Sequence, residues 1–290
     1  MATPREWMVY TPGTSMCELL AMDCRTPTDI IFSFKGFSCR GGRTGPHGDG
    51  WGLAFFDGRA ARVFLDPRAC ADSPLSAFLR EHSIKTLQAV AHIRQRTRGD
   101  VRVANTHPFV RELWGRAWVF AHNGTVKSVR ELPLGTYRPI GRTDSEHAFC
   151  YLLEGLRARF DNYPDDPKDL FEAVAELGGE IARRGVFNFV MGNGEYLFAR
   201  CDTRLCYVIR KPPFGKATLK DEDVSIDFST VTTARDRVAV IATSPLTVDE
   251  AWTHGTPCSL WVFRRGRLAA TLRSGQARAG KVQSAAPCSS

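Results

Sequence analysis

Short apolar runs recur along the chain in two groups, one on each side of two adjacent amphipathic segments. Runs of this length predict β-strands, which we place at 17–23, 51–56, 60–65, 87–93, 118–121, 186–191, 196–201, 205–209, 238–242, 260–263 and 268–272. Turn residues at Asp57-Gly58 and Gly192-Asn193-Gly194 separate neighbouring runs and predict hairpins. Because hairpins join antiparallel strands, the pattern favours antiparallel sheets.

Four segments carry helix signals. Thr28-Asp29 can cap a helix, and Ser73-Pro74 opens another that runs through Arg80. The capping box 143–146 starts a long helix, and a further helix is predicted at 170–183. Two long helices between two groups of strands favour an α+β layered domain over a doubly wound parallel sheet.

Composition divides the chain into three parts. Residues 1–16 are rich in turn formers and lack an apolar period, so we expect an extension that is absent from the mature protein. Residues 17–273 contain all the predicted elements and are expected to form one domain, in which 211–230 is a loop of mixed charge. The Gly/Ala/Ser-rich segment 274–290 is expected to be disordered.

Cysteine usage and charge argue against several classes of protein. The nine cysteines are an odd number and are scattered, so we expect free thiols and a cytoplasmic location. The net charge of +8 comes mainly from dispersed arginine, which argues against a nucleic-acid partner. No apolar run is long enough to span a membrane, and the N-terminal stretch lacks the apolar region of a secretory signal, so we expect none. No histidine motif of zinc proteases occurs. We therefore expect no membrane, metal or other cofactor.

Cys17 in the run Met16-Cys17-Glu18-Leu19-Leu20 has two interpretations. As a first residue, it would carry a thiol nucleophile and an α-amine whose ordinary pKa of about 7.7–8.0 suits a base near neutral pH. Alternatively, it is a buried structural cysteine.

Four more polar groups stand at the ends of predicted elements. Taken singly they have ordinary explanations, namely exposed arginines, a proline turn, a hairpin and a helix cap. They are the segments 92–97, 105–109, 122–124 and 143–146.

Together with the Met-Cys run, these groups resemble the class II glutamine amidotransferases, which are N-terminal-nucleophile hydrolases. The similarity is strongest to the stand-alone bacterial subgroup, which shares Met-Cys-Glu-Leu-Leu, Arg-Gly-Gly-Arg-Thr-Gly-Pro-His and Asp-Gly-Trp-Gly, found here at 16–20, 40–47 and 49–52. The resemblance spans about residues 16–261. It implies a four-layer αββα sandwich of two antiparallel sheets.

The resemblance also implies a catalytic role for three residues. Cys17 would attack the γ-carboxamide of a glutamine-like substrate, form a γ-glutamyl thioester and release ammonia. The Asn123 side chain and the Gly124 backbone N–H would form the oxyanion hole.

Six further positions are implied to bind the substrate or to support the site. Arg94 would hold the substrate's α-carboxylate, and Asp144 its α-ammonium group. The remaining four are Thr97 and His107, which would line the pocket, and Arg40 and Gly41, which would have a structural role near the nucleophile.

Two departures from the family pattern matter. Many synthase-linked members have tryptophan after the pocket arginine, where this chain has Gln95, so the substrate is either glutamine or another γ-glutamyl compound. Cys17 also lies sixteen residues inside the sequence. A translation start at Met16 is favoured over self-cleavage between Met16 and Cys17.

The fold would use the whole of the predicted domain, which leaves no room for a synthase domain. Either a separate synthase subunit accepts the ammonia, or the protein hydrolyses a γ-glutamyl amide. The alternative class is a catalytically silent binding or regulatory module on the same fold.

Overall fold

The computed structural model describes residues 17–96 and 100–273. The four helices are α1 (Ile31–Cys39), α2 (Pro74–Glu81), α3 (Asp144–Arg159) and α4 (Pro167–Ala182). The strands are β1 (Glu18–Thr28), β2 (Trp51–Asp57), β3 (Ala60–Asp66), β4 (Thr86–Ile93), β5 (Phe109–Leu113), β6 (Arg116–Val126), β7 (Gly185–Gly192), β8 (Leu197–Cys201), β9 (Cys206–Arg210), β10 (Lys216–Thr218), β11 (Ser225–Asp227), β12 (Val238–Ala242), β13 (Thr253–His254), β14 (Ser259–Arg264) and β15 (Arg267–Arg273). Within these residues no helix is long and apolar enough to cross a membrane.

Two antiparallel sheets are stacked face to face, which confirms the predicted α+β class. The first has the strand order β13-β9-β12-β1-β4-β2-β3, and the second has the order β15-β14-β8-β7-β6-β5. Helices α1 and α2 pack on the outer face of the first sheet, and α3 and α4 on the outer face of the second. The layers therefore follow the predicted αββα order.

The apolar run of β1 reflects its central position. Side chains alternate between the two faces of a strand, so Leu19 and Ala21 pack between the sheets, whereas Leu20 and Met22 pack against the helices. β1 pairs with β4 on one edge and with β12 on the other. Cys17 directly precedes the part of β1 in which every residue from Glu18 to Cys24 is buried, and this gives it a rigid support.

Several predicted boundaries are wrong. β6 does not end at 121 but continues through His122, Asn123 and Gly124, because this stretch pairs in register with β7. β1 extends beyond Asp23 to Thr28, and the predicted loop 211–230 contains the β10–β11 hairpin. The strand β5 was not predicted.

The capping box is only half formed. The Thr143 hydroxyl accepts a hydrogen bond from the Glu146 N–H, as predicted. The Glu146 carboxylate instead accepts from Arg111 and from the backbone N–H groups of Ile140 and Gly141. It thus fixes the loop that leads into α3.

The two tails, 1–16 and 274–290, and the pocket candidate Thr97 lie outside the described residues. All eight described cysteines are free thiols.

Candidate active site

Cys17 lies at the entrance to β1, half-buried, with its thiol against the chain that leaves β4. Its Sγ accepts a hydrogen bond from the Gln95 N–H at 3.2 Å and donates to the Gln95 carbonyl at 3.3 Å. Burial raises the pKa of this thiol to about 11, although the Gln95 backbone and the charge of Arg94 partly offset the rise. Among the described residues no side chain hydrogen-bonds to the thiol, so none is placed to take its proton.

The neighbouring Glu18 is held by a buried ionic network. Its carboxylate pairs with Arg40 at 3.0 Å, and the same guanidinium pairs with Asp221 at 2.8 Å. Arg40 also donates to the Ser244 hydroxyl and to the Pro245 carbonyl. Burial alone would lower the pKa of Arg40, but these two carboxylates hold it above its ordinary value. Arg40 therefore ties α1 to the first residue of β1.

Gly41 continues this support. A side chain there would place its Cβ 2.4 Å from Cys70 Cβ, which is too close for any ordinary packing. The Gly41 carbonyl accepts from the Ala71 N–H, and the backbone forms a bridge with Pro46. The glycine is required for the close approach of two backbone segments.

Thr243 links the Cys17 end of β1 to Asn123 of the second sheet. Its hydroxyl accepts a hydrogen bond from the Leu19 N–H at 2.8 Å, and the Asn123 side-chain amide lies at 3.5 Å from the same oxygen. The Asn123 Oδ1 is buried without a described hydrogen-bond partner. The two sheets thus bring Cys17 and Asn123 to one end of the sandwich.

Gly124 has a backbone conformation that favours glycine, with φ of +154°. A Cβ at this position would lie 2.0 Å from the Val186 carbonyl oxygen and 2.8 Å from His122 Nε2. No other residue fits here without moving the backbone.

Asp144 is the first residue of α3 and lies beside the same stretch of β6. Its Oδ2 accepts from the Val126 N–H at 2.7 Å, and its Oδ1 accepts from the Ser145 N–H at 3.0 Å. The carboxylate is therefore oriented by backbone donors, two residues along the strand from Gly124.

Arg94 is buried at the end of β4, immediately before Gln95. Its backbone N–H donates to the Gly50 carbonyl, and its guanidinium donates to the Asp100 carbonyl at 3.2 Å. Burial lowers the pKa of Arg94, while the nearby Cys17 and Asp49 act in the opposite direction. A cation is thus held close to the thiol.

His107 lies in a layer of buried imidazoles behind these groups. Its ring packs on that of His92, with centroids 4.1 Å apart, and neither of its ring nitrogens has a described hydrogen-bond partner. His92 Nε2 contacts the carbonyl of His122 at 3.1 Å. Burial lowers the pKa of His92 to about 3 and that of His107 well below its usual range. Both rings are therefore neutral at pH 7.

Two supporting residues were not predicted from the sequence, namely Thr243 and Asn188. Asn188 donates to the Asn123 carbonyl at 3.1 Å, and its Oδ1 accepts three backbone N–H groups from residues 202–204. The available signal was a polar residue inside the apolar run of β7. The described residues contain no cluster of three or more histidine, cysteine, aspartate or glutamate side chains that could hold a metal ion.

Comparison with known proteins gives one consistent family. The family model described as "Glutamine amidotransferases class-II" matches residues 16–287. The protein named "Putative glutamine amidotransferase YafJ" of Escherichia coli K12 is 50% identical over 251 residues, covering 87% of this chain and 98% of its own. A protein of Haemophilus influenzae named "Putative glutamine amidotransferase" is 47% identical over 257 residues, covering 89% and 87% of the two chains.

Solved structures agree with this assignment. The crystal structure of a predicted glutamine amidotransferase from Pseudomonas aeruginosa matches with a TM-score of 0.70 and 41% identity, over 88% of this chain and all of the other. The phosphoribosylpyrophosphate amidotransferase of Bacillus subtilis matches with a TM-score of 0.57 over 89% of this chain and 49% of its own. At 13% identity, that likeness shows the fold alone. This chain belongs to the class II glutamine amidotransferases.

Proposed function

We propose that the protein hydrolyses a γ-glutamyl amide, either glutamine or a γ-glutamyl metabolite, through a γ-glutamyl thioester on Cys17. The observation that carries this proposal is the position of the Cys17 thiol at the site. Among the described residues, its hydrogen-bond partners are the backbone groups of Gln95. A thiol with a pKa of about 11 needs a base, and its own α-amine would serve once Cys17 is the first residue.

The reaction balances in two steps. Cys17 Sγ attacks the amide carbon, its proton passes through the α-amine to the leaving nitrogen, and the C–N bond breaks. Glutamine then releases ammonia, and a γ-glutamyl metabolite releases the corresponding amine. Water then attacks the thioester, which yields the γ-carboxylate and restores the thiol.

The edge of β6 that faces away from β7 supports an oxyanion hole at Gly124. In an antiparallel strand, the N–H and C=O groups of alternate residues point to the same edge. The His122 carbonyl contacts His92, and the Val126 N–H donates to Asp144, so both groups lie on that edge. The Gly124 N–H lies between them and would donate to the developing oxyanion, together with the Asn123 amide.

Arg94 and Asp144 would select the amino-acid end of the substrate. A guanidinium can bind the α-carboxylate through two parallel hydrogen bonds. The Asp144 oxygens each accept one strong described bond and keep lone pairs for an α-ammonium group. Thr97 and His107 would complete the wall, and Arg40 and Gly41 would hold the nucleophile's strand.

Ammonia released at Cys17 would pass either to solvent or to a separate synthase subunit. The location of the reaction in the cytoplasm remains part of the same proposal.

A trapping experiment tests the proposal. Protein that begins at Cys17 is incubated with glutamine or with a γ-glutamyl amide library, quenched in acid and examined by intact-protein mass spectrometry. We expect a γ-glutamyl adduct on Cys17 that is absent from Cys17→Ala, with release of ammonia from glutamine or of the corresponding amine from another γ-glutamyl amide. A diazoketone analogue of glutamine should also alkylate Cys17 alone.

Stable binding of these compounds without adduct or ammonia would instead support the silent binding module. Alkylation spread over Cys24, Cys39 or Cys150 would contradict the assignment of the nucleophile.

A further inference from the structure

The first two residues of α3 contact β6 on both sides of Gly124. Asp144 accepts the Val126 N–H at 2.7 Å, two residues after the glycine. Ser145 Oγ lies 2.8 Å from His122 Nδ1, two residues before it. The first two residues of α3 therefore hold β6 on both sides of Gly124, the residue whose backbone N–H would donate a hydrogen bond to the oxyanion.

The hydrogen bonds of His122 define its tautomer. The Val186 carbonyl, 3.1 Å from Nε2, can only accept, so Nε2 carries the proton. Nδ1 is then the acceptor, and the Ser145 hydroxyl donates to it. Both side chains are buried, so neither exchanges these partners for solvent.

The His122 ring also fills the space beside Gly124. A Cβ on the glycine would lie 2.8 Å from His122 Nε2 and 2.0 Å from the Val186 oxygen to which that nitrogen donates. The His122 ring and the Val186 carbonyl thus lie directly beside the glycine, and Ser145 contacts the other ring nitrogen of the same histidine. Asn123, the neighbouring residue, points to the opposite face, toward Thr243.

We propose that Ser145 is a positioning residue for the reaction on Cys17 and acts through His122 to hold the Gly124 amide in its donating orientation. The proposal rests on the proposed function of Gly124 as an oxyanion donor. A glycine has the softest backbone of any residue, and catalysis by a fixed donor depends on its direction. The Ser145 hydroxyl, by holding His122, would restrict the backbone motion that glycine itself does not restrict.

Steady-state kinetics of protein beginning at Cys17 test this role. For Ser145→Ala we expect kcat to fall about five- to tenfold while KM stays within about twofold, because the donor would act on the transition state. Ser145→Thr keeps a hydroxyl and should restore kcat to within about twofold of the parent.

Ser33→Ala is the matched control. Ser33 is a buried serine on α1 that receives a hydrogen bond from Arg210. Arg210 pairs with Val238, which pairs with Cys24 of β1, seven residues from Cys17. It should lower thermal stability without changing kcat.

A double-mutant cycle separates positioning from general loosening. His122→Gln keeps a donor for the Val186 carbonyl but removes the acceptor of the Ser145 hydroxyl. In that background Ser145→Ala should cause no further loss of kcat. Independent, multiplying losses would overturn the proposal, as would an unchanged kcat in Ser145→Ala or a rise in KM alone.

Nuclear magnetic resonance gives a readout that does not depend on activity. In ¹⁵N-labelled protein, Ser145→Ala should shift the Gly124 amide and the His122 Nδ1 resonance, whereas Ser33→Ala should shift neither. If these shifts occur but the parent protein forms no thioester, the proposed function fails while the structural coupling stands. If the parent is active and the Gly124 amide does not respond, the coupling itself is wrong.

Discussion

The two walls of the site are built from different interactions. On the Cys17 wall, formed by Cys17, Glu18 and Arg40, a buried arginine joins two carboxylates. On the Gly124 wall, formed by His122, Asn123, Gly124 and Ser145, neutral hydrogen bonds connect side chains to each other and to the backbone.

The contrast predicts different consequences of mutation. Removal of one partner from a buried ion pair leaves an uncompensated charge and is costly to stability. A neutral hydrogen bond contributes less free energy but fixes direction. Mutations in the Cys17 wall should therefore mainly lower the free energy of unfolding, and mutations in the Gly124 wall should mainly lower kcat.

The largest expected effect concerns the missing base on the Cys17 wall. While residue 16 is attached, the Cys17 nitrogen is an amide and cannot accept the thiol proton. We expect an intact, uncleaved 290-residue chain to lack glutaminase activity, and protein made from Met16 to be active with Cys17 first by N-terminal sequencing. Full activity of the uncleaved chain would exclude the α-amine as the base, and a side chain such as His107 or His122 would have to be sought.

The next effect is on stability. Arg40→Met leaves Glu18 and Asp221 without their shared cation, and we expect a loss of about 3–5 kcal/mol in the free energy of unfolding. The measurement is urea denaturation followed by circular dichroism. Combining Arg40→Met with Glu18→Gln should recover part of this loss, because one of the stranded charges is removed. An unchanged midpoint in Arg40→Met would show that the ionic brace does not stabilise the wall.

The Gly124 wall should respond in the opposite way. Asn123→Ala removes one proposed oxyanion donor, and we expect kcat to fall roughly 100-fold, since loss of one such donor typically costs this much. The urea midpoint should change far less than in Arg40→Met. A small kinetic effect together with severe unfolding would reverse the assignment of the two walls.

The sequence predicted the site residues that belong to a recognisable local motif. It did not predict the residues that reach the site only through the tertiary fold. Cys17 and Thr143 carry local signals, a Met-Cys strand and a capping box, and the predicted start of β1 and cap of α3 follow from them. Thr243 lies 224 residues from Leu19, whose N–H it accepts, and a lone threonine after a strand has no pattern of its own.

Tertiary pairing also overrode a local preference. Asn-Gly is a strong turn signal, so the stretch 122–124 was expected to end a strand. Its in-register ladder with β7 instead keeps it extended, and the Asn188 amide holds the Asn123 carbonyl. Gly124 adopts a φ of +154°, which favours glycine, and the neighbouring residues in the sequence do not indicate this conformation.

The smallest expected effect concerns the layer of buried imidazoles formed by His92, His107 and His122. The native pKa of His92 is about 3, and those of His107 and His122 are also lowered, because burial disfavours the charged ring. In the unfolded chain a histidine titrates near 6.5, so the unfolded state binds more protons below that pH. The stability that depends on these neutral rings is complete above about pH 6.5 and is lost as the pH falls below that value, down to about 3 for His92.

Replacing one ring should therefore reduce the acid sensitivity. For His107→Leu we expect the loss of unfolding free energy between pH 7 and pH 5 to be roughly 1–2 kcal/mol smaller than in the parent. Asp23, at the other end of the β1 core, has the opposite sign. Burial raises its pKa to about 6, so its native form gains protons, and stability, as the pH falls through that value. Asp23→Asn should steepen the acid loss, and urea titrations at both pH values measure the two slopes. Equal slopes in the parent and His107→Leu would mean that the His107 ring is not held neutral by its burial.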